Sequence, residues 1–111
     1  MSNIEIEIPK KIYVFNKPVN MCKSFTGLSE LVWESLRRKA DNGDMFLFVN
    51  KQRTYLKILS YVKNGWVIIA KKLTQGKFKE MGNRQRQLTP QELQSFVDAA
   101  ATETPYQRLV A

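Results

Sequence analysis

The sequence predicts an α+β domain: an antiparallel sheet of three to four strands packed on one face by two helices. Three observations carry this. Residues 45–49, 55–63 and 66–73 are successive β-rich runs separated by turn residues, as in a meander. Residues 55–72, "YLKILSYVKNGWVIIAKK", centre on Asn64-Gly65, the dipeptide best suited to a two-residue hairpin turn. And "LTPQELQSFVDAAA" holds a helix start in Thr89, Pro90 and Glu92.

In chain order, "IEIEI" alternates Ile4, Ile6 and Ile8 with glutamates until Pro9 interrupts it, so residues 1–10 read as an edge strand or a loose arm. Residues 11–16, "KIYVFN", form a better strand, and "KPVN" turns the chain. A helix over about 26–40, starting near Ser24 or Thr26, places Leu28, Leu31, Val32 and Leu36 on one stripe. Arg37, Arg38 and Lys39 then fall in its last turn, where cations favour the negative helix end. "MFLFV" is apolar throughout, as in a central strand or one covered on both faces. "TQGKFKEMGNRQRQ" has no strong period and reads as an exposed basic loop. In the second helix, about 90–100, Thr89 and Glu92 form a capping box, while Leu93, Phe96, Val97 and Ala100 face the sheet. Residues 101–111 read as a flexible tail.

With Asn64 and Gly65 as the two turn residues, Lys63 pairs with Trp66, Tyr61 with Ile68 and Lys57 with Lys72. One hairpin face then carries Leu56, Ile58, Ser60, Val62, Val67, Ile69, Lys71 and Leu73. The other carries Tyr55, Lys57, Leu59, Tyr61, Lys63, Trp66, Ile68, Ala70 and Lys72, a basic and aromatic surface. Lys57 opposite Lys72 is an unfavourable like-charge pair unless an anion lies between them.

At 111 residues the chain suits a single domain, 1–111, and its 43% hydrophobic content is that of a globular protein. No apolar run approaches the ~20 residues needed to cross a bilayer, and glutamates occupy the place of a signal peptide's apolar stretch, so a cytoplasmic location is expected. The single cysteine, Cys22, has no disulfide partner within the chain and no histidine to act as its base. Neither catalytic carboxylates nor metal ligands cluster, so the expectation is a non-enzymatic protein with no cofactor. The net charge of +8 is concentrated: residues 51–87 hold ten basic residues against Glu80 alone. Such a field suits a polyphosphate partner. The plainer reading of the same charge is a solvated basic face.

The segments "PVNMCKSFTGLSELV", "GDMFLFVNKQRTYLKILSY", "NGWVIIAKKLTQGKF" and "LTPQEL", in that order, resemble the TnpB accessory proteins encoded by the second open reading frame of insertion-sequence family sixty-six. The resemblance spans about residues 13–97. It departs at Asn20-Met21-Cys22-Lys23, where the family has Asp-Met-Arg, and at residues 77–81, which lack the family's Trp and Pro. It implies a bacterial protein that assists a separate transposase. Within it, Arg53, Lys57, Lys71, Lys72, Gly76, Lys77 and Phe78 align with family positions.

Two functions follow as expectations. The first is nucleic-acid contact, to DNA with RNA as the other possibility, through Lys51, Arg53, Lys57, Lys63, Lys71, Lys72, Lys77 and Lys79, with Tyr61 and Trp66 stacking on bases. Against stacking stands the ordinary reading of Tyr61 and Trp66 as cover for the sheet end. The second is an adaptor that binds the transposase or another accessory protein of the same element through the same half-apolar face.

Overall fold

The computed structural model describes residues 11–80 and 86–98. Its elements are β1 (Ile12–Val14), α1 (Phe25–Leu36), β2 (Met45–Val49), β3 (Tyr55–Val62), β4 (Gly65–Lys72), β5 (Arg86–Leu88) and α2 (Pro90–Asp98). The expected arm at residues 1–10, the tail at 101–111 and the last residues of the second helix lie outside the described residues.

The α+β arrangement matches the prediction, and the three-stranded meander is present. The sheet is larger and mixed: five strands in the order β4-β3-β2-β1-β5. β1 pairs parallel with β2, Ile12 beside Met45, so α1 is the crossover of a βαβ unit. The pairing continues past the strand ends, where the Phe15 N–H donates to the Leu47 carbonyl (2.9 Å) and Val19 to Val49 (3.0 Å). β5 comes from the segment expected to be a loop and pairs antiparallel with β1, Ile12 opposite Leu88. Three residues of "RQL" carry no alternation of their own; their strand form is imposed by the open edge of β1.

The helices lie on opposite faces of the sheet, not on one. Every residue from Phe46 to Val49 is buried, so both faces of β2 need cover. On one face Phe46, Phe48, Tyr13, Phe15 and Leu59 meet Leu28 and Val32 of α1. On the other, Leu47, Val49, Val14, Leu56 and Ile58 meet Phe96 of α2 and Phe78. Ring pairs reinforce each layer: Tyr13 stacks on Phe46 at 5.6 Å, and Phe78 on Phe96 at 5.6 Å.

α1 ends earlier than the sequence suggests. Arg37 takes the left-handed conformation (φ 54°) and its N–H returns to the Trp33 carbonyl at 2.9 Å, closing the helix. Arg37 lies over the Trp33 ring at 5.6 Å. Arg38 lies over Tyr13 at 4.7 Å and 4.0 Å from the buried Asp44. Ring contacts and an ion pair, not a place inside the last turn, account for these arginines. α2 opens as predicted, since the Thr89 N–H donates to Glu92 Oε1 (2.9 Å) and the Glu92 N–H to Thr89 Oγ1 (3.1 Å).

The hairpin turn is displaced by one residue. Lys63 (φ 50°) and Asn64 (φ 66°) occupy its two left-handed positions, and Val62 pairs with Gly65. The register therefore slips by two: Tyr61 faces Trp66, Lys57 faces Ala70 and Lys72 faces Tyr55. A slip of two keeps every residue on its predicted face but changes every partner. Putting lysine in the left-handed region carries a cost of about 1 kcal/mol. The slip brings Tyr61 and Trp66 edge to face at 4.9 Å and separates Lys57 from Lys72, both of which offset that cost.

Candidate nucleic-acid interface

The ten residues singled out from the sequence fall into three groups. The first comprises side chains already engaged inside the molecule. Lys57 lies on the face covered by α1 and its entry loop, and its ammonium donates to the carbonyls of Met21 (2.7 Å) and Lys23 (2.8 Å). Lys71, on the opposite face, donates to the Val97 carbonyl at 2.7 Å, in the last turn of α2, where a cation also opposes the negative helix end. Arg53 (φ 60°) donates through Nη1 to the Phe78 carbonyl at 3.1 Å and lies 4.0 Å from Glu80.

The second group gathers around Arg53. The turn at residues 50–54 is held by Asn50, whose Oδ1 accepts from the backbone N–H of Thr54 (2.9 Å) and Tyr55 (3.1 Å). Two backbone bonds lash the chain after β4 to this turn: Leu73 N–H to Thr54 (2.7 Å) and Phe78 N–H to Arg53 (2.7 Å). Phe78 is fully buried, which anchors the exposed Lys77 and Lys79 on either side of it. Exposed Lys51 stands in the turn itself, and exposed Lys72 lies 5.7 Å over the Tyr55 ring. Lys51, Lys72, Lys77 and Lys79 thus surround one end of the sheet. Beside Lys51 a groove of about 350 Å³ opens between residues 18–21 of the α1 entry loop and residues 50–52.

The third group is Tyr61, Lys63 and Trp66 at the hairpin tip. Trp66 and Lys72 stand six positions apart on β4, roughly 20 Å along the strand, so one chain does not bring the aromatic pair to the basic end. Trp66 is 37% exposed and borders a second open groove, about 560 Å³, with Trp33, Glu30, Glu34 and Asp41. Trp33 is 49% exposed on α1 and was not among the candidates. It sits one residue beyond Val32, off the apolar stripe, and that offset is the signal that marks it as a surface residue.

Among the described residues, no group of three or more His, Cys, Asp or Glu side chains is placed to hold a metal ion. No helix among them is long and apolar enough to cross a membrane. Cys22 is exposed and unpaired as a disulfide.

A family model described as "IS66 Orf2 like protein" matches residues 10–107, nearly the whole chain. No curated protein and no solved structure matches it. The matched region includes both helices and all five strands described above. The chain therefore belongs to the IS66 Orf2-like family, TnpB_IS66, the accessory proteins of transposition of this class of insertion sequence.

Proposed function

We propose that this accessory protein contacts nucleic acid, DNA in the first place, by gripping phosphates at the Arg53 end of its sheet. The observation that carries the reading is the convergence of four exposed lysines, Lys51, Lys72, Lys77 and Lys79, on one structural corner while Lys57, Lys71 and Arg53 hold that corner together. Such contacts fix position and carry little sequence information. The affinity is then similar for element ends and for random duplex.

The test is a binding titration across salt with element-end duplex, random duplex and single strands. Each phosphate contact removed by a lysine-to-glutamine change lowers the log–log salt slope by about 0.9 on duplex or about 0.7 on a single strand. A variant with Lys51, Lys72, Lys77 and Lys79 all changed to glutamine loses most of the slope. A control changing the exposed Lys11, Arg37 and Lys39 to glutamine keeps it. Equal loss in the two variants would reduce the reading to bulk charge.

An adaptor role towards the transposase or another accessory protein has its own support in the groove flanked by Trp33 and Trp66, since exposed tryptophans are common at protein interfaces. Binding there weakens little with salt, which separates the two readings.

A further inference from the structure

The two edges of the sheet are unlike. Among the described residues β5 is three residues long, a length that offers little to a passing strand, whereas β4 is an edge of eight residues. Its centre, Trp66 to Ala70, holds no charge and no proline, and Val67 (41%) and Ile69 (52%) are exposed large aliphatics on it. The orientation of its backbone follows from the hairpin. Val62 and Gly65 flank a two-residue turn, and the Leu73 N–H donates to Thr54, so residues 65, 67, 69, 71 and 73 turn their backbone groups to β3. Trp66, Ile68, Ala70 and Lys72 therefore point theirs outward.

We propose that β4 pairs antiparallel with β4 of a second copy, about a two-fold axis at Ile68, joining two five-stranded sheets into one of ten. The occupant is a second copy because the edge is complementary to itself. With Ile68 opposite its equivalent, the outward backbone groups of Trp66, Ile68 and Ala70 meet those of Ala70, Ile68 and Trp66 of the partner subunit. Val67 falls opposite Ile69 of the partner subunit, twice, so all four exposed aliphatic side chains cover one another on one face. Lys71 falls opposite Gly65 and Lys72 opposite Asn64 of the partner subunit, so no lysine of the strand faces another. A shift of the axis to Ile69 keeps the backbone bonds but sets Val67 against Lys71 and leaves both valines uncovered.

The pairing has a consequence for the nucleic-acid reading and rests on that reading only here. Antiparallel docking brings the tip of one chain, Tyr61, Lys63 and Trp66, alongside Lys72 at the basic end of the other. The aromatic pair and the lysines, separated along a single strand, become one composite surface, present twice.

The experiment is sedimentation equilibrium on the full chain, wild type and Ala70→Pro, with circular dichroism on both. Proline at this exposed position removes an outward N–H and leaves the β3 bonds in place. The wild type sediments at twice the 12.9 kDa chain mass and Ala70→Pro at the chain mass with an unchanged spectrum. Register is read in a Cys22→Ser background: a mixture of V67C and I69C chains forms disulfide-linked dimers faster than either alone. This also decides the matter if Ala70→Pro fails to fold. A wild type at the chain mass up to its solubility limit, a dimeric Ala70→Pro, or I69C linking fastest with itself would overturn the proposal. A monomer that still binds DNA with a steep salt slope overturns the pairing and leaves the phosphate reading standing. A dimer with no salt-dependent binding does the reverse.

Discussion

Lys57→Met separates a structural lysine from a binding one. The ammonium sits between two main-chain carbonyls of the loop that feeds α1, at 2.7 Å from Met21 and 2.8 Å from Lys23, on a half-buried strand position opposite Ala70. Methionine keeps most of the stem's packing and removes both donors. A hydrogen bond from a charged donor is worth about 1.5–3 kcal/mol when its acceptor is shielded, and much less where water can replace it. Met21 is half-buried and Lys23 exposed, so we take about 1.5 kcal/mol for the first and about 0.5 for the second, or about 2 kcal/mol together. For a domain near this size that lowers the melting temperature by roughly 8–12 °C. The assay is urea unfolding followed by fluorescence, with a calorimetric melt, at low and high salt. Because the acceptors are uncharged carbonyls, the loss persists at high salt, unlike that of a surface ion pair. Lys72→Met, which removes an exposed contact with Tyr55, lowers stability by only about 0.5 kcal/mol. DNA affinity responds in the opposite order: Lys72→Met weakens it and Lys57→Met does not. A Lys57→Met protein as stable as the wild type would refute this account and restore the anion-bridged lysine pair suggested by the hairpin's sequence.

Thr89→Ala removes the hydroxyl that accepts the Glu92 N–H at 3.1 Å, and a melt should show about 1 kcal/mol of lost stability. Phe78→Ala empties a fully buried site stacked on Phe96; chemical denaturation should register about 3–5 kcal/mol, with the corner carrying Lys77 and Lys79 loosened to proteolysis. Lys63→Gly, at φ 50°, should raise stability by about 0.5 kcal/mol in a denaturant titration; a decrease would place the turn back on Asn64-Gly65, where residue 63 is extended.

Much of this fold was legible, and the misreadings have specific causes. The meander and the capping box rest on local chemistry, so both are present in the structure, the meander with its hairpin turn moved by one residue. The hairpin faces were legible because alternation is a property of parity; the pairing was not, because it depends on Tyr61 meeting Trp66 across the ladder. Two helices on one face would leave half of "MFLFV", apolar at successive positions, without cover, and that run is the signal that the helices divide between the faces. β5 has no pattern to read: its conformation belongs to β1, more than seventy residues earlier in the chain. The charge of the 51–87 segment identified the basic corner, yet the roles of Lys57 and Lys71 were hidden, since their acceptors lie 36 and 26 residues away and are main-chain carbonyls. Composition counts charges but cannot show which ones the fold itself employs.

The position of β1, between β2 and β5, sets an order on synthesis. Residues 12–14 emerge early, find their parallel neighbour only after residues 45–47 are made, and gain their second neighbour only with residues 86–88. Local pairing of β2, β3 and β4 is fast; closing the sheet across the length of the chain is slow. During that interval β1 is an unguarded edge, and Phe78 lacks the ring of Phe96 that later covers it. A ribosome stalled or a chain cut before residue 86 would thus release a sheet open at β1 as well as at β4, prone to cross-pairing with its neighbours, and the short final strand is what closes the first of these two edges.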